Sequence, residues 1–333
     1  MLNTRFILRG SVRRSADQVR INATLVDATT GRNVWGDRYD GHLKEVFSLQ
    51  DEITEKIVSA LSLKLTPAEQ ANLRRPETGN MAAYELFLRG RDQFLRFSRE
   101  NTFSARKLFE QALDLDPDFA RAEALLAWTY AFEYTNGWSE DAKRTLARAN
   151  ELAKRAVALN DKLPIAYFVK ALVHRERHEF VEALVEAQAS IEIDPNYANG
   201  YMMLSTILYY AGKPEEGLAM VEKAERVNPV HPSNYPFHKG QALFILKRYD
   251  EAIAAFAKGV EQNPTSQRLR VWLAASYAQA GMIEDAEWEA DQILLDDPDF
   301  RFGGLTHVFP FKNPADREHF NTALRKVGFD DRW

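Results

Sequence analysis

Apolar and polar residues alternate along the first forty positions, and the period then lengthens to that of a helix. In Val19-Arg20-Ile21-Asn22-Ala23-Thr24-Leu25 every second residue is apolar, as in a strand with one wet face. Phe6, Leu8 and Val12 follow the same alternation, and Val34 to Tyr39 forms a third run. Ser15-Ala16-Asp17 and Thr29-Thr30-Gly31-Arg32 read as turns, Gly31 being free to take positive φ. The pattern predicts three antiparallel strands, which need a cover on one face. Leu43, Val46, Phe47, Gln50, Ile53, Ile57 and Leu61 supply it on one stripe of a helix over 43–63. Thr66-Pro67-Ala68-Glu69 then opens a helix to Arg75, with Thr66 as N-cap and Glu69 closing a capping box. Pro76-Glu77-Thr78-Gly79-Asn80 is a linker.

Beyond the linker a longer period takes over. Ala183, Ala187, Ser190 and Pro195 recur as Gly217, Val221, Ala224 and Pro229. They recur again as Ala252, Phe256, Gly259 and Pro264, then as Ala286, Ala290, Ile293 and Pro298. The prolines fall 34, 35 and 34 residues apart, the period of tetratricopeptide repeats. Small residues let the second helix of each pair lie close to the first, and the proline stops it. One pair cannot bury its own apolar face, so the pairs must stack. Upstream, Tyr84 to Pro117 reads as a first repeat, with Gly90 at its helix crossing and Ala105, Phe109 and Ala112 on its second helix. Ala120 to Asp161 is a second, lengthened by an insertion around 134–141. The first helices of the four regular repeats carry Tyr167 and Ala171, Tyr201 and Ser205, Gly240 and Leu243, and Ala274 and Tyr277. That makes six repeats.

The aromatic, glycine-containing stretch 299–313 breaks the period, and Asn313-Pro314-Ala315-Asp316 opens a last helix that ends near Gly328. Phe320 and Leu324 are expected to face the sixth repeat, since a solenoid end needs a cap. The fold class expected is mainly α: a superhelix of about six repeats plus a capping helix, preceded by a small truncated α+β domain. The expected division is an α/β domain over 1–75, a linker over 76–82, the array over 83–298, and an extension with capping helix over 299–333.

Taken together, Leu8-Arg9-Gly10-Ser11-Val12-Arg13-Arg14, Val19-Arg20-Ile21, Asp27-Ala28-Thr29-Thr30-Gly31, Val34-Trp35, Asp37-Arg38-Tyr39-Asp40 and Leu49-Gln50-Asp51-Glu52-Ile53 form an ordered set. The set resembles the TolB-N-terminal-like domain of bacterial repeat-containing class III adenylate or guanylate cyclases. Ala83-Tyr84-Glu85-Leu86-Phe87-Leu88-Arg89-Gly90 and Pro310-Phe311-Lys312-Asn313-Pro314-Ala315-Asp316-Arg317 resemble that family's first repeat and C-terminal helix. The resemblance covers nearly the whole chain. It implies that a cyclase domain precedes this region in family members. It also implies that their α/β domain carries further strands and helices upstream of the position matching Arg5. Nothing in this chain corresponds to the family's catalytic domain, with its metal-binding aspartates and nucleotide pocket. The resemblance therefore implies a non-catalytic C-terminal part of a signalling protein, and no enzyme activity is expected of the chain.

Composition narrows the classes further. A net charge of −5 offers no basic face for nucleic acid. The absence of cysteine excludes disulfides, thiolate metal sites and cysteine catalysis. No apolar run approaches the roughly 20 residues of a membrane span, and MLNTRFILRGSVRR lacks a secretion-signal pattern. The chain as given is expected in the cytoplasm, or in the periplasm if a membrane helix precedes it in a parent protein.

Candidate chemistry is sparse. His174 and His178 stand four apart with Glu176 and Glu179 nearby, but Arg175 occupies the place where the zincin motif has glutamate. They read as the end of a repeat helix. Arg13 and Arg14 read as the solvated side of a hairpin rather than as a phosphate site. There is no phosphate-binding glycine loop and no nucleophile elbow. No cofactor and no metal are expected.

The groove of the array is the stronger candidate. Counting from the repeat marks, first-helix positions directed into it are Tyr84, Phe87, Arg91, Trp128, Phe168, Arg175, Asn199, Tyr209, Phe237, Phe244 and Arg268, together with Phe94, Met202 and Gln241. An apolar groove rimmed by Arg and Asn suits an extended or helical peptide, and its arginines suit carboxylates, although the regular Lys/Asn pattern of a carboxylate clamp is absent. The alternative is that the chain's own aromatic segments fill it, with Phe300, Phe302, Phe309 and Phe311 as candidates, or that a one-residue register error places some of these side chains in the core. The partner expected is a protein or peptide in the groove. A homo-oligomer through the open edge of the N-terminal sheet is a further possibility.

Overall fold

The computed structural model describes residues 5–42, 45–61, 77–296 and 309–328. The chain forms two compact units, Met1–Met81 and Ala82–Trp333. In the first, β1 (Phe6–Ser15), β2 (Gln18–Asp27) and β3 (Asn33–His42) form an antiparallel sheet in the order β1-β2-β3. The hairpin register runs from Phe6 opposite Asp27 to Ser15 opposite Gln18, and Ala16 takes φ 53° in the two-residue turn. At the second turn Gly31 has φ 69°, and the Asp27 carboxylate accepts from the Thr29 and Thr30 amides. Alternation along β2 buries Val19, Ala23 and Leu25, and a register shift between Leu25 and Val26 adds Val26. Helix α1 (Val46–Ala60) covers this face and brings Leu49 against Gly41. It starts three residues later than the expected stripe; Leu43 and the expected helix at 66–75 lie outside the described residues.

The second unit stacks helix pairs. Among the described residues these are α2 (Met81–Phe94) with α3 (Arg99–Leu115), and α4 (Ala120–Thr135) with α5 (Ala142–Leu159). They continue as α6 (Pro164–Glu176) with α7 (Phe180–Ile193), and α8 (Ala198–Tyr210) with α9 (Pro214–Val227). The last two are α10 (Asn234–Ile245) with α11 (Tyr249–Gln262), and α12 (Gln267–Ala280) with α13 (Ile283–Asp296).

The small residues act as their spacing implies. Ala105, Ala112, Ala183, Ala187, Ala252 and Ala286 have no exposed surface. Gly90 lies under Phe109 and Gly240 under Phe256, where a Cβ would come within 2.7 and 2.6 Å of the ring. The first helices bury nearly all round, whereas the second helices keep a wet face. Such a first helix sits between its own partner and its neighbours.

Each turn between the helices of a pair contains one residue with positive φ: Phe97, Gly137, His178, Gly212, Lys247 and Gly281. The two histidines lie at such a helix end, as expected. α6 stops at Glu176 and His178 stands in the left-handed turn, so it does not continue the helical face of His174. The Nδ1 of His174 lies 2.6 Å from Glu179 Oε2 across that turn.

The last helix, α14 (Pro314–Arg325), opens on Asn313, whose Oδ1 accepts from the Ala315 amide at 3.0 Å. Gly328 takes φ 78° at its end. Its packing reaches further inward than a simple end cap. Phe320 meets Trp272 of α12 and Phe244 of α10, and His319 Nε2 lies 3.0 Å from the Tyr249 hydroxyl. The helix thus lies over the inner layer of both the fifth and the sixth pairs. Ahead of it Phe309 and Phe311 are buried against Trp272, and Phe311 also meets Tyr210. The Lys312 amide donates to the Tyr210 carbonyl. The extension therefore covers part of the inner face; Phe300 and Phe302 lie outside the described residues.

Candidate functional site

What remains uncovered of the inner face is a cavity of about 960 Å³, part of it open to solvent. It is built by first helices. α4 supplies Trp128, Phe132 and Thr135, and α6 supplies Phe168, Leu172 and Arg175. α8 supplies Asn199, Met202, Met203, Thr206 and Tyr210. The stretch from Ser233 through α10 adds Asn234, Phe237 and His238, and the start of α12 adds Ser266, Arg268 and Leu269. Asn136, just after α4, completes the lining with Asn263 and Pro310, and Phe97 adds to the apolar end.

One end is aromatic. The rings of Trp128 and Phe168 meet edge to face with centroids 4.6 Å apart, and Phe94 backs Trp128 at 5.1 Å. The other end is polar, rich in amide and hydroxyl groups. Two guanidinium groups enter it. Arg175 is spoken for: it pairs with buried Glu176, with Nε to Oε1 at 3.0 Å, and donates from Nη1 to Thr206 Oγ1 at 2.7 Å. Arg268 stands against the rings of Phe237 and Phe309 at 5.2 and 5.4 Å. Burial lowers the pKa of Arg268 from its ordinary value, and the neighbouring Arg175 charge acts in the same direction.

A neutral network forms the floor beside them. The Tyr209 hydroxyl donates to Gln241 Oε1 at 2.6 Å, and Gln241 Nε2 donates to the Tyr210 hydroxyl at 3.1 Å. His238 Nδ1 lies 3.0 Å from both the Tyr209 hydroxyl and Gln241 Oε1. Burial, with Arg175 and Arg268 nearby, pushes the His238 pKa down to about 3, so the ring is neutral at physiological pH. Burial likewise raises the Tyr210 hydroxyl to about 12.

The expected groove residues separate into three groups. Trp128, Phe168, Arg175, Asn199, Phe237, Arg268 and Met202 line the cavity. Phe87, Tyr209 and Phe244, with Phe94 and Gln241, are at most 1% exposed and present no surface to a ligand. For Tyr209 the reason is rotation: the next residue on a helix points about 100° away, so Tyr210 faces the cavity while Tyr209 turns inward. Phe244 is covered by Trp272, His319 and Phe320. Tyr84 is half-buried against Phe87 and Arg91 is exposed; neither lines the cavity. Sequence reasoning passed over Thr206, Ser233, Asn234, His238, Asn263 and Ser266. A signal for some of them exists: the fourth residue after the stop proline is Asn199, Ser233 or Arg268 in successive repeats.

Tetratricopeptide repeat family models match residues 202–267 and 243–306. The stacked helix pairs form a tetratricopeptide-like array, with a small antiparallel sheet before it in the sequence. Repeats of this kind are protein-interaction modules. The chain is 37% identical over 173 residues to a protein named putative adenylate cyclase 3 of Rhizobium meliloti (strain 1021), covering 51% of this chain and 29% of that protein. It is 29% identical over 130 residues to bacteriophage adsorption protein A of Escherichia coli (strain K12), covering 39% and 12%. The chain thus spans less than a third of either relative. Among solved structures, a chain of the APC/C hetero-tetramer Cut9-Hcn1 superimposes with a TM-score of 0.52 at 16% identity, covering 85% of this chain and 54% of that one. That likeness concerns the fold. No helix among the described residues is long and apolar enough to cross a membrane.

Proposed function

We propose that this chain is a non-catalytic interaction module that takes a segment of a partner protein, in extended form, into the inner groove of its repeats. The observation that carries the reading is the cavity itself, whose aromatic end and amide-rich end are built by first helices of different repeats. Aromatic side chains there bury apolar groups of a ligand, and amides such as Asn199 and Asn234 pair with its backbone. The similarity to a protein named as an adenylate cyclase, together with the ordered N-terminal motifs, supports a regulatory role within a bacterial cyclase-type signalling protein.

The test is capture of peptides from a randomised library by the purified chain and by a Trp128→Ala, Asn199→Ala double variant. Enrichment by the wild type and its loss in the variant is the expected result; equal enrichment by both would sink the groove reading. An ATP-to-cAMP assay on the same preparation is expected to give no product above background.

A second reading rests on β1. Among the described residues it is an edge strand, and Leu8 and Val12 on it are 53% and 69% exposed. Open edges recruit strands, so self-association through β1 is the accompanying proposal. Light scattering that finds a monomer at every concentration, unchanged by Val12→Lys, would remove it.

A further inference from the structure

The charged side chains lining the cavity, among the described residues, are Arg175 and Arg268. Glu176 neutralises the first. The second has no such relief. Its Nε is buried without a hydrogen-bond partner, and no ion pair or hydrogen bond joins its guanidinium to the protein among the described residues. The carboxylate that influences it, Glu176, is committed to Arg175. An arginine in this position is costly. Five donors and a full charge are held against two aromatic rings, where water is partly excluded. Cation–π contact with Phe237 and Phe309 holds the guanidinium in place, and its N–H donors suit a planar acceptor such as a carboxylate.

We propose that Arg268 is the anchor for an acidic side chain, an internal Asp or Glu of the partner segment, which lies in the groove with an apolar residue at the Trp128–Phe168 end. This rests on the peptide-groove reading above. Charge decides the ligand class: with Arg175 paired and His238 neutral, the cavity has one uncompensated positive charge, which one carboxylate satisfies. Placement favours a side chain over a chain terminus. Asn199 and Asn234 come from the repeats before Arg268, and Asn263 and Ser266 from the turn leading to it, so backbone partners for the ligand exist on more than one side of the charge. The carboxylate would make charge-assisted, bidentate bonds to the guanidinium. Phe309 makes the C-terminal extension part of the site, because its ring is one of the two that orient Arg268.

The experiment uses the full chain and a pooled library of N-acetylated, C-amidated octapeptides of randomised sequence, with a parallel library bearing free C-termini. Wild type, Arg268→Met and Arg268→Lys are compared after circular dichroism shows each to be folded. The expected result is enrichment of Asp or Glu at one position in the amidated library, a few residues from an enriched apolar position. The Glu→Gln or Asp→Asn analogue of a selected peptide should bind roughly ten- to a hundredfold more weakly. Arg268→Met should bind both analogues equally, and Arg268→Lys should keep part of the preference.

Peptides enriched without an acidic position, or an acidic preference that survives in Arg268→Met, overturn the assignment while leaving the groove intact. An acid-free set enriched only with free C-termini overturns the internal side chain in favour of a terminal carboxylate. Failure of both libraries to enrich any sequence overturns the groove reading and this inference together.

Discussion

The ring of Phe320 stacks on that of Trp272, with centroids 4.1 Å apart and planes 29° from parallel. The pair ties the last helix to the inner layer of the array, and both rings have almost no exposed surface. Phe320→Ala removes a buried ring and leaves a cavity, a change that costs about 3–5 kcal/mol at well-packed sites. The loss should be local first. Hydrogen exchange should rise in 309–328 and at the end of α12, with α4 to α7 protected as before. Uniformly faster exchange over the whole array would contradict this division.

Gly240 and Phe256 are a second close pair. A Cβ on Gly240 would meet the Phe256 ring at 2.6 Å, and that ring is fully enclosed. Gly240→Ala gains helix propensity worth roughly 1 kcal/mol, but it overpacks the crossing at about 1–3 kcal/mol or more. The net expectation is a lower urea midpoint with unchanged far-ultraviolet circular dichroism. A higher midpoint would show that the α10–α11 crossing is looser than its geometry.

Arg175 and Glu176 form a buried pair, so they should behave as a unit. Arg175→Met leaves the Glu176 carboxylate buried alone, which costs on the order of 3–5 kcal/mol. Replacing both, Arg175→Met with Glu176→Leu, should recover most of that loss. A double-mutant cycle by chemical denaturation measures the coupling. If the double variant is as unstable as the sum of the two singles, the pair is not coupled and Thr206 holds Arg175 on its own.

His238 makes stability pH-dependent in a defined direction. Its pKa lies near 3 in the folded protein and near 6.5 unfolded. Between these values the unfolded chain binds a proton that the folded one does not, so stability falls as pH drops from about 6.5 toward about 3. Above about 6.5 the contribution is complete and flat. Comparing urea unfolding of wild type and His238→Asn at several pH values isolates this residue from the carboxylates. The variant should lose stability less steeply over that window; parallel curves would mean that His238 is protonated freely in the folded state.

Much of the architecture was legible in the chain. Alternation from Val19 to Leu25 named the sheet face, and the recurrence ending at Pro195, Pro229, Pro264 and Pro298 named the helix pairs. Both are short-range consequences of backbone geometry: side chains repeat every two residues on a strand and every 3.6 on a helix. The lining of the cavity was legible in part. Trp128, Phe168, Asn199 and Arg268 followed from repeat register, whereas Tyr209 and Phe244 did not, since a rotation of one residue or one covering helix moves a ring from groove to core. The two histidines lie at the end of a repeat helix as their setting implied, and what residue spacing alone does not reveal is the left-handed turn at His178.

The sequence by itself determined the repeat period, the faces that must be buried and the small residues that let helices touch, because these depend on contacts within and between adjacent helices. Tertiary structure alone decided that 309–325 folds back over the inner layer, that Glu176 takes the charge of Arg175, and that Arg268 has no ion-pair partner among the described residues. The first outcome joins residues dozens of positions apart. The other two depend on which carboxylates and rings the stacked helices bring around each guanidinium, since Glu176, although next to Arg175 in sequence, and the rings beside Arg268 could have met other neighbours until the superhelix closed around them.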